Sequence, residues 1–591
     1  MLDLKNNINL LIDKMKALKL DGYLVPRGDM FSGEEVPEKE ERLKFISNFS
    51  GSAGIAVVSS NPKLKSAIFS DGRYQLQMKN EVDSKFFNIH NGSFREVSLF
   101  LKKNKRFLKT IGIDPWLITL EQYSYLKDIT KNLRFLENNL IDLIWSDKTL
   151  EIENKIFQLN INYSGEENTS KIEKLKNFIV NNKFDYYILF NPMGLSWLLN
   201  IRVMELKHTP VLRSFCLVSK FGEVFVFSKN KLLKNYITKN DKIYLNDFSY
   251  FPSFLEKFSN TKMLFDPKVL PFKIYDLLNK NKIKSKKIIC PVDALKTIKN
   301  SNELCGFKNA HLKDGLALLK LFFWIEKNIT SNKLSEISIA DKLLKIRSLD
   351  PSFICESFST ISAFNENGAI IHYKASKLSN KKINKNGLYL LDTGGHYLDG
   401  TTDTTRTLCI GHPDPEMIND YTLVLKGHIA IATAIFPKNT KGRDLDILAR
   451  QELWREGKDY AHGTGHGVGH VLSVHEGPIS ISKSSEIFIE EGMVISNEPG
   501  YYKNNYYGIR IENLEFVSEK KIKGTNKKFL CFNNLTRVPL EKKLIDKSNL
   551  TKCEIKWIND YHKKVFFDLS KLIEKGNKDL LEFLKLTTSE I

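Results

Sequence analysis

A chain of 591 residues exceeds what one hydrophobic core sustains, since single cores stop growing near about 250–300 residues, so several domains are expected. The 42% hydrophobic share is ordinary for a globular protein, and no apolar run approaches the roughly 18–20 residues of a bilayer span, which speaks against a membrane-spanning chain. The net charge of +20 comes without an arginine cluster, zinc-finger spacing or ribonucleoprotein aromatic motif, so it reads as lysines on solvated helices and loops, with no nucleic-acid or membrane partner expected.

Taken in chain order, MLDLKNNINLLIDKMKALKL places apolar residues at helical spacing and carries Asp3 and Asp13. It lacks a cleavable apolar region, so it predicts a folded first helix and not a signal peptide. Segments GYLVP, GIAVV, AIFSDGRY and TIGID then read as strands of a mixed α/β domain over residues 1–150. The pattern starts again with a helix over Lys171–Val180, followed by YYILF, FCLVS, EVFVF and MLFD, in a second α/β domain over 151–295. Asp21-Gly-Tyr-Leu-Val follows a helix as Asp185-Tyr-Tyr-Ile-Leu does, a weak internal repeat that predicts two related domains. A linker over Pro291–Ala310 opens a third domain, residues 296–520. In a C-terminal extension, 521–591, Trp557, Ile558, Tyr561, Val565 and Phe566 form a helical stripe suited to the core or an oligomer contact. Seven scattered cysteines, odd in number and without a close pair, fit reduced thiols in a cytoplasmic protein and offer no cysteine metal site.

The third domain carries the chemistry. Asp392 ends the apolar run GLYLLD, and Asp403 lies eleven positions on, in TTDTTRT. His466 sits among glycines, Glu498 follows Val494–Ile495, and Glu512 lies in GIRIEN. Side chains alternate across a strand, so Thr401, Asp403 and Thr405 are expected on one face of a strand over Thr401–Leu408. A bent hairpin turning at Gly394 and Gly395 would bring Asp392 to Asp403. A second, turning around Lys503–Asn505, would aim Arg510 and Glu512 at the same point, with Ile509 and Ile511 facing the core. Four carboxylates and one imidazole can hold two divalent ions close together, and such a pair activates a water and clamps an oxyanion. The residues therefore predict a dinuclear metal hydrolase.

His462, His466 and His470 recur every four residues, as on a helix face, but the interleaved Gly463, Gly465, Gly467 and Gly469 would each cost roughly 1 kcal/mol there. A loop or strand passing close to a ligand is the better reading. A dinucleotide fingerprint fails, because His470 stands where its third glycine is required and no apolar strand precedes the run.

NENGAIIHY, LDTGGHYLDGTTDTTRT, HGTGHGVGHVLSVHEGP, SNEPGYY and GIRIEN together resemble the motif series of the Xaa-Pro aminopeptidases (aminopeptidase P), in metallopeptidase family M24, and of their long, three-domain cytosolic type in particular. The likeness extends to FSGSAGIAVV, SDGRYQLQ and WINDYHKKV, and so spans nearly the whole chain. It implies two creatinase-like N-terminal α/β domains followed by an α+β "pita-bread" catalytic domain. It also implies that Asp392 and Glu498 bind one metal each, that His466 completes a site, and that Asp403 and Glu512 bridge. Glu498 would also handle the proton of the metal-bridging hydroxide. His372, His462 and His475 would line the pocket as catalytic residues. His372, His466, His475, Arg510 and, from the DGRY motif, Arg73 would meet the substrate. His470 matches no functional histidine and is expected to be packing. Met193 and Gly194 stand where relatives often carry an acidic pair, which puts substrate contacts from the second domain in doubt.

The activity implied is removal of the first residue from peptides with proline second, through attack by that hydroxide. Oxygen-dominated ligation favours manganese, with cobalt or zinc as substitutes. A cytoplasmic homodimer is expected. The alternatives are a prolidase-type dipeptidase, which shares the ligand set, a creatinase-like amidinohydrolase, which lacks it, and a non-catalytic pita-bread peptide-binding module, which loses ligands that this chain keeps.

Overall fold

Leucine, isoleucine and methionine at positions 4, 8, 11 and 15 bury one face of the first helix, Leu4–Ala17. The computed structural model describes residues 4–126, 129, 133–146, 155–237, 242–331, 333–383 and 386–591. The domain boundary expected at 150/151 lies outside the described residues. The chain divides into two compact units, residues 1–158 with 166–292, and residues 159–165 with 293–591.

The first unit contains two six-stranded sheets of the same design. In one, the order is Phe87–Asn91, Ser66–Ser70, Ile55–Ser59, Gly22–Pro26, Ile111–Ile113 and Leu133–Phe135. In the other it is Ile243–Asp247, Val224–Ser228, Phe215–Ser219, Tyr186–Leu189, Lys262–Phe265 and Lys284–Lys287. Strand senses match at every step: two antiparallel pairings on one side of the central strand, then a parallel one, and two parallel pairings on the other side. The repeated aspartate has one job in both sheets. Asp21 Oδ2 accepts from Lys109 N (3.0 Å) and Thr110 N (2.9 Å), and Asp185 Oδ2 accepts from Lys262 N (2.9 Å), so each ties the central strand to the start of its parallel neighbour.

The second unit opens on helices. The segment read as a linker folds as helix Pro291–Thr297 and then enters the 28-residue helix Ser301–Asn328, because Asn300 and Glu303 make a complete capping box there. A three-stranded antiparallel sheet joins Ile361–Phe364, Gly387–Thr393 and Thr404–Ile410. A six-stranded one runs Ile435–Pro437, Phe529–Asn534, Asn513–Lys520, Val494–Asn497, Gly465–Gly467 and Glu476–Ile481. Strand Phe529–Asn534 lies beyond residue 520 and pairs along Asn513–Lys520, so this sheet continues into the segment read as an extension. The C-terminal helix Lys552–Ser570 buries Ile558, Tyr561, Val565 and Leu569 in one cluster with Tyr421, Leu453 and Ile509. Burying that stripe ties the chain's end to the elements that carry the site.

Candidate metal centre

Pairing of Gly387–Thr393 with Thr404–Ile410 sets Asp392 opposite Thr405 and Thr393 opposite Thr404. The strand expected over Thr401–Leu408 is therefore broken. Thr401 belongs to a separate short strand that pairs with His396, and Asp403 follows it as irregular chain. The cause is an excursion: residues 395–401 leave the hairpin to form a small sheet with Phe353–Glu356. Asp403 still comes home, one residue before its strand resumes.

Glu498 follows strand Val494–Asn497, and its N–H donates to Thr464 O (2.8 Å). Gly465 must be glycine, because a Cβ there would lie 1.9 Å from Ser496 O. That contact lets His466 N donate to Ser496 Oγ (2.9 Å), while the same hydroxyl donates to Glu498 Oε1 (3.3 Å). Glu512 N donates to Thr405 O (3.1 Å), and Thr405 Oγ1 donates to Glu512 Oε2 (2.7 Å). Donor atoms of Asp403, His466 and Glu512 lie within 4.8 Å of one another. His466 Nε2 is 3.5 Å from Asp403 Oδ2 and 3.4 Å from Glu498 Oε1. Asp392 shares the electrostatic environment of Asp403 and Glu498, and Arg510 Nη2 donates to its Oδ2 at 2.5 Å. The four acids and one imidazole singled out in the sequence thus converge.

The donor set fits divalent cations. His466 Nδ1 lies 2.9 Å from Gly467 O, which engages that nitrogen and leaves Nε2 as the ring atom facing two carboxylates. Among the described residues, Asp392 Oδ1 is buried without a hydrogen-bond partner. Burial, reinforced by neighbouring acids, pushes the Asp392 carboxyl up to about 6 even against Arg510. Burial likewise raises Glu498, and it raises Glu512 well above the carboxylate range with Asp403 next in effect. So many crowded acids hold their charge only beside added positive charge.

The predicted pocket residues fall differently. His475 stands edge-on to His466, with ring centroids 4.3 Å apart. His372 is half-buried between Ile370 and Tyr373, which share a cluster with Tyr502 and Leu390. Both ring nitrogens of His462 are engaged: Nδ1 with Gly463 O (2.8 Å) and Nε2 with the Tyr502 hydroxyl (2.8 Å). His470 is buried, with Nε2 2.9 Å from Asp399 O and its ring against Phe307. Arg73 belongs to the first unit, where it forks onto Asp71 (2.9 and 2.8 Å). Met193 and Gly194 open helix Pro192–Leu199, and the Asn191 side chain caps both N–H groups.

Two residues of the site, Tyr502 and Ser496, were not singled out from the sequence, and Thr405 was only placed on the face of Asp403. Tyr502 accepts from Arg510 Nη1 (2.6 Å) and turns its own proton to His462. Thr405 also accepts from Arg510 Nε (3.2 Å). Ser496 links His466 to Glu498. Thr405 and Ser496 each lie two positions from a ligand and Tyr502 four, but hydroxyls are common on strands and their partners appear only after folding.

Residues 306–519 match metallopeptidase family M24, and residues 528–591 its C-terminal region. Residues 8–140 and 147–303 each match a creatinase/prolidase N-terminal domain. The chain is 37% identical to the protein named "Probable Xaa-Pro aminopeptidase P" in Coprinopsis cinerea, over 100% of this chain and 99% of that one. It is 37% identical to Xaa-Pro aminopeptidase 1 of Dictyostelium discoideum, over 95% and 92%. The crystal structure of X-prolyl aminopeptidase from Caenorhabditis elegans, a cytosolic enzyme with a di-nuclear active site, superposes with a TM-score of 0.92 at 31% identity, covering 100% of both chains. With two creatinase-type domains ahead of a pita-bread domain, the chain belongs to metallopeptidase family M24 and, within it, to the Xaa-Pro aminopeptidases.

Proposed function

We propose that the chain is an aminopeptidase with two divalent metal ions, which releases the first residue from peptides whose second residue is proline. The observation that carries this reading is His466 Nε2 set 3.5 Å from Asp403 Oδ2 and 3.4 Å from Glu498 Oε1, inside a cluster that Asp392 and Glu512 complete. Full-length similarity to proteins named for that activity supports the substrate class.

An Xaa-Pro bond is a tertiary amide without an N–H, so recognition cannot depend on that donor. Asp392, Asp403, His466, Glu498 and Glu512 would hold the ions. Two such ions supply Lewis acidity for the scissile carbonyl and an acidified water as nucleophile. Glu498 would carry a proton from the attacking water to the departing proline nitrogen, which leaves poorly unless protonated. His475 and His372 donate to the carbonyl oxygen as it gains charge, where one preorganised donor contributes about 3 kcal/mol. His462, occupied on both nitrogens, instead holds the Tyr502 hydroxyl in place and through it Arg510. Arg510 and His372 border the proposed proline pocket. Arg73 is the proposed contact for residues beyond the proline.

Manganese is the proposed ion, because four of the five ligands offer oxygen. All seven cysteines are free and, among the described residues, no helix is long and apolar enough to cross a membrane. With the cytosolic relative, this supports a cytoplasmic enzyme. A homodimer is proposed with it. The test is a panel of Xaa-Pro, Xaa-Pro-Yaa, acetyl-Xaa-Pro-Yaa and Xaa-Ala-Yaa peptides, run after chelation and again with manganese added back. Only unblocked Xaa-Pro-Yaa and Xaa-Pro should be cut, and only with metal. Cleavage confined to dipeptides would make the chain a prolidase, and no cleavage at all would leave a peptide-binding module.

A further inference from the structure

Behind the carboxylate ligands lies an ion pair that touches none of them. Arg347 ends helix Glu336–Arg347, and Asp314 sits within helix Ser301–Asn328. Their side chains are 0% and 2% exposed, and they meet as a fork, with Nε to Oδ1 at 2.7 Å and Nη2 to Oδ2 at 3.0 Å. Two hydroxyls complete the carboxylate's shell. Tyr397 OH donates to Oδ1 (2.9 Å) and Thr402 Oγ1 donates to Oδ2 (2.8 Å). The remaining arm of the arginine, Nη1, donates to Thr393 Oγ1 (2.6 Å) and Gly394 O (3.0 Å). Thr402 Oγ1 also accepts from Gly395 N (2.9 Å).

The sequence positions of these contacts give them meaning. Thr393 follows Asp392 directly, and Thr402 precedes Asp403 directly. The pair therefore grips both ends of the excursion that interrupts the ligand hairpin, each one residue from a proposed metal ligand. The ends are also forced together, since a Cβ on Gly394 would lie 2.0 Å from Thr402 O and 2.3 Å from Ser357 Oγ. A buried ion pair contributes little to stability that apolar side chains of the same volume would not. What it adds is direction, because a fork with every lone pair used permits one arrangement.

We propose that Asp314 and Arg347 form a positioning clamp that fixes the spacing of Asp392 and Asp403, so that divalent-ion affinity depends on the Thr402 hydroxyl, which itself meets no ion. The inference rests on the metal reading above. Partners one shell behind metal ligands commonly change affinity by about 10–100-fold when removed.

The experiment titrates manganese ion alone into chelator-stripped protein by calorimetry, well below the melting temperature of each variant, so that lost stability is not read as lost affinity. Thr402→Val keeps the volume and removes the hydroxyl. Tyr397→Phe is a milder cut at the same carboxylate and stands in if Thr402→Val fails to fold. Thr422→Val is the control, a fully buried threonine on helix Pro415–Ala432 whose hydroxyl bonds to Ile418 O and Leu544 O. The clamp predicts manganese affinity at least about tenfold weaker for Thr402→Val and measurably weaker for Tyr397→Phe, with Thr422→Val within about twofold of the parent despite a lower melting temperature. Unchanged affinity in the clamp variants, or an equal loss in the control, would overturn the inference while leaving the metal centre standing. Failure of the parent chain to bind manganese would overturn the metal reading and the clamp with it.

Discussion

Arg510 and Asp392 come from different hairpins and meet at 2.5 Å, a guanidinium committed to a carboxylate whose other oxygen is buried with no hydrogen-bond partner among the described residues. Arg510 holds Asp392 in its ionised form and aims it, while Oδ1 is left for another positive partner. The same guanidinium reaches Tyr502 and Thr405, so one buried cation sets a ligand, a pocket hydroxyl and the hydroxyl that supports Glu512.

Removing that cation should make metal binding harder at low pH. Asp392 stands at about 6 with Arg510 opposing the rise, so Arg510→Met pushes it further up, and protons compete with metal over a wider range. The pH of half-maximal manganese binding is expected to move upward by about 1–3 units, the usual effect of an arginine beside a carboxylate. Calorimetric titrations from about pH 5.5 to about pH 8.5 would measure it, and an unmoved midpoint would break the assigned role.

Stability should follow the same groups with a definite sign. A carboxyl raised from 3.8 to about 6 binds more protons folded than unfolded between those values, so the metal-free chain loses stability as pH rises through that window. Metal binds the ionised form and offsets the loss. The gap in melting temperature between manganese-loaded and chelator-stripped protein is therefore expected to widen from about pH 5 to about pH 7. A gap that narrows over that range would contradict the assignment.

Ligand and pocket roles separate on substitution. Asp403→Asn should lower both metal content and rate, since a neutral amide replaces a carboxylate within reach of His466 and Glu512. His475→Ala should keep its metals and lose about 10²–10³ in kcat, the range for one preorganised donor. Metal analysis of both purified variants decides the matter, and the reverse pattern would exchange the roles.

Much of this was legible beforehand, for local reasons. Alternation predicted that Arg510 and Glu512 face one way and Ile509 and Ile511 the other, and both isoleucines are fully buried. The glycines around His466 argued against a helix, and the segment forms strand Gly465–Gly467. The excursion between Asp392 and Asp403 was not legible, because it depends on Phe353–Glu356, a distant strand, and on a clamp between two helices. Nor was the engagement of His462, whose partner Tyr502 lies forty positions away and comes close only when its hairpin forms.

That engagement carries the last prediction. His462 Nδ1 faces a carbonyl, so its proton sits there and Nε2 accepts from Tyr502, which in turn accepts from Arg510 Nη1. The three form one directed relay, Arg510 to Tyr502 to His462, and Tyr502 bonds to no carboxylate ligand in it. Tyr502→Phe should therefore leave metal content intact and lower kcat/KM for an Xaa-Pro-Yaa peptide by about tenfold, the scale of one lost hydrogen bond to a charged group. His462→Ala should produce a similar loss. Because both changes cut the same relay, the double variant should lose far less than the product of the two, a coupling of about 1 kcal/mol or more in a double-mutant cycle. Independent, additive losses would mean that His462 acts on the substrate directly and that its contact with Tyr502 is incidental.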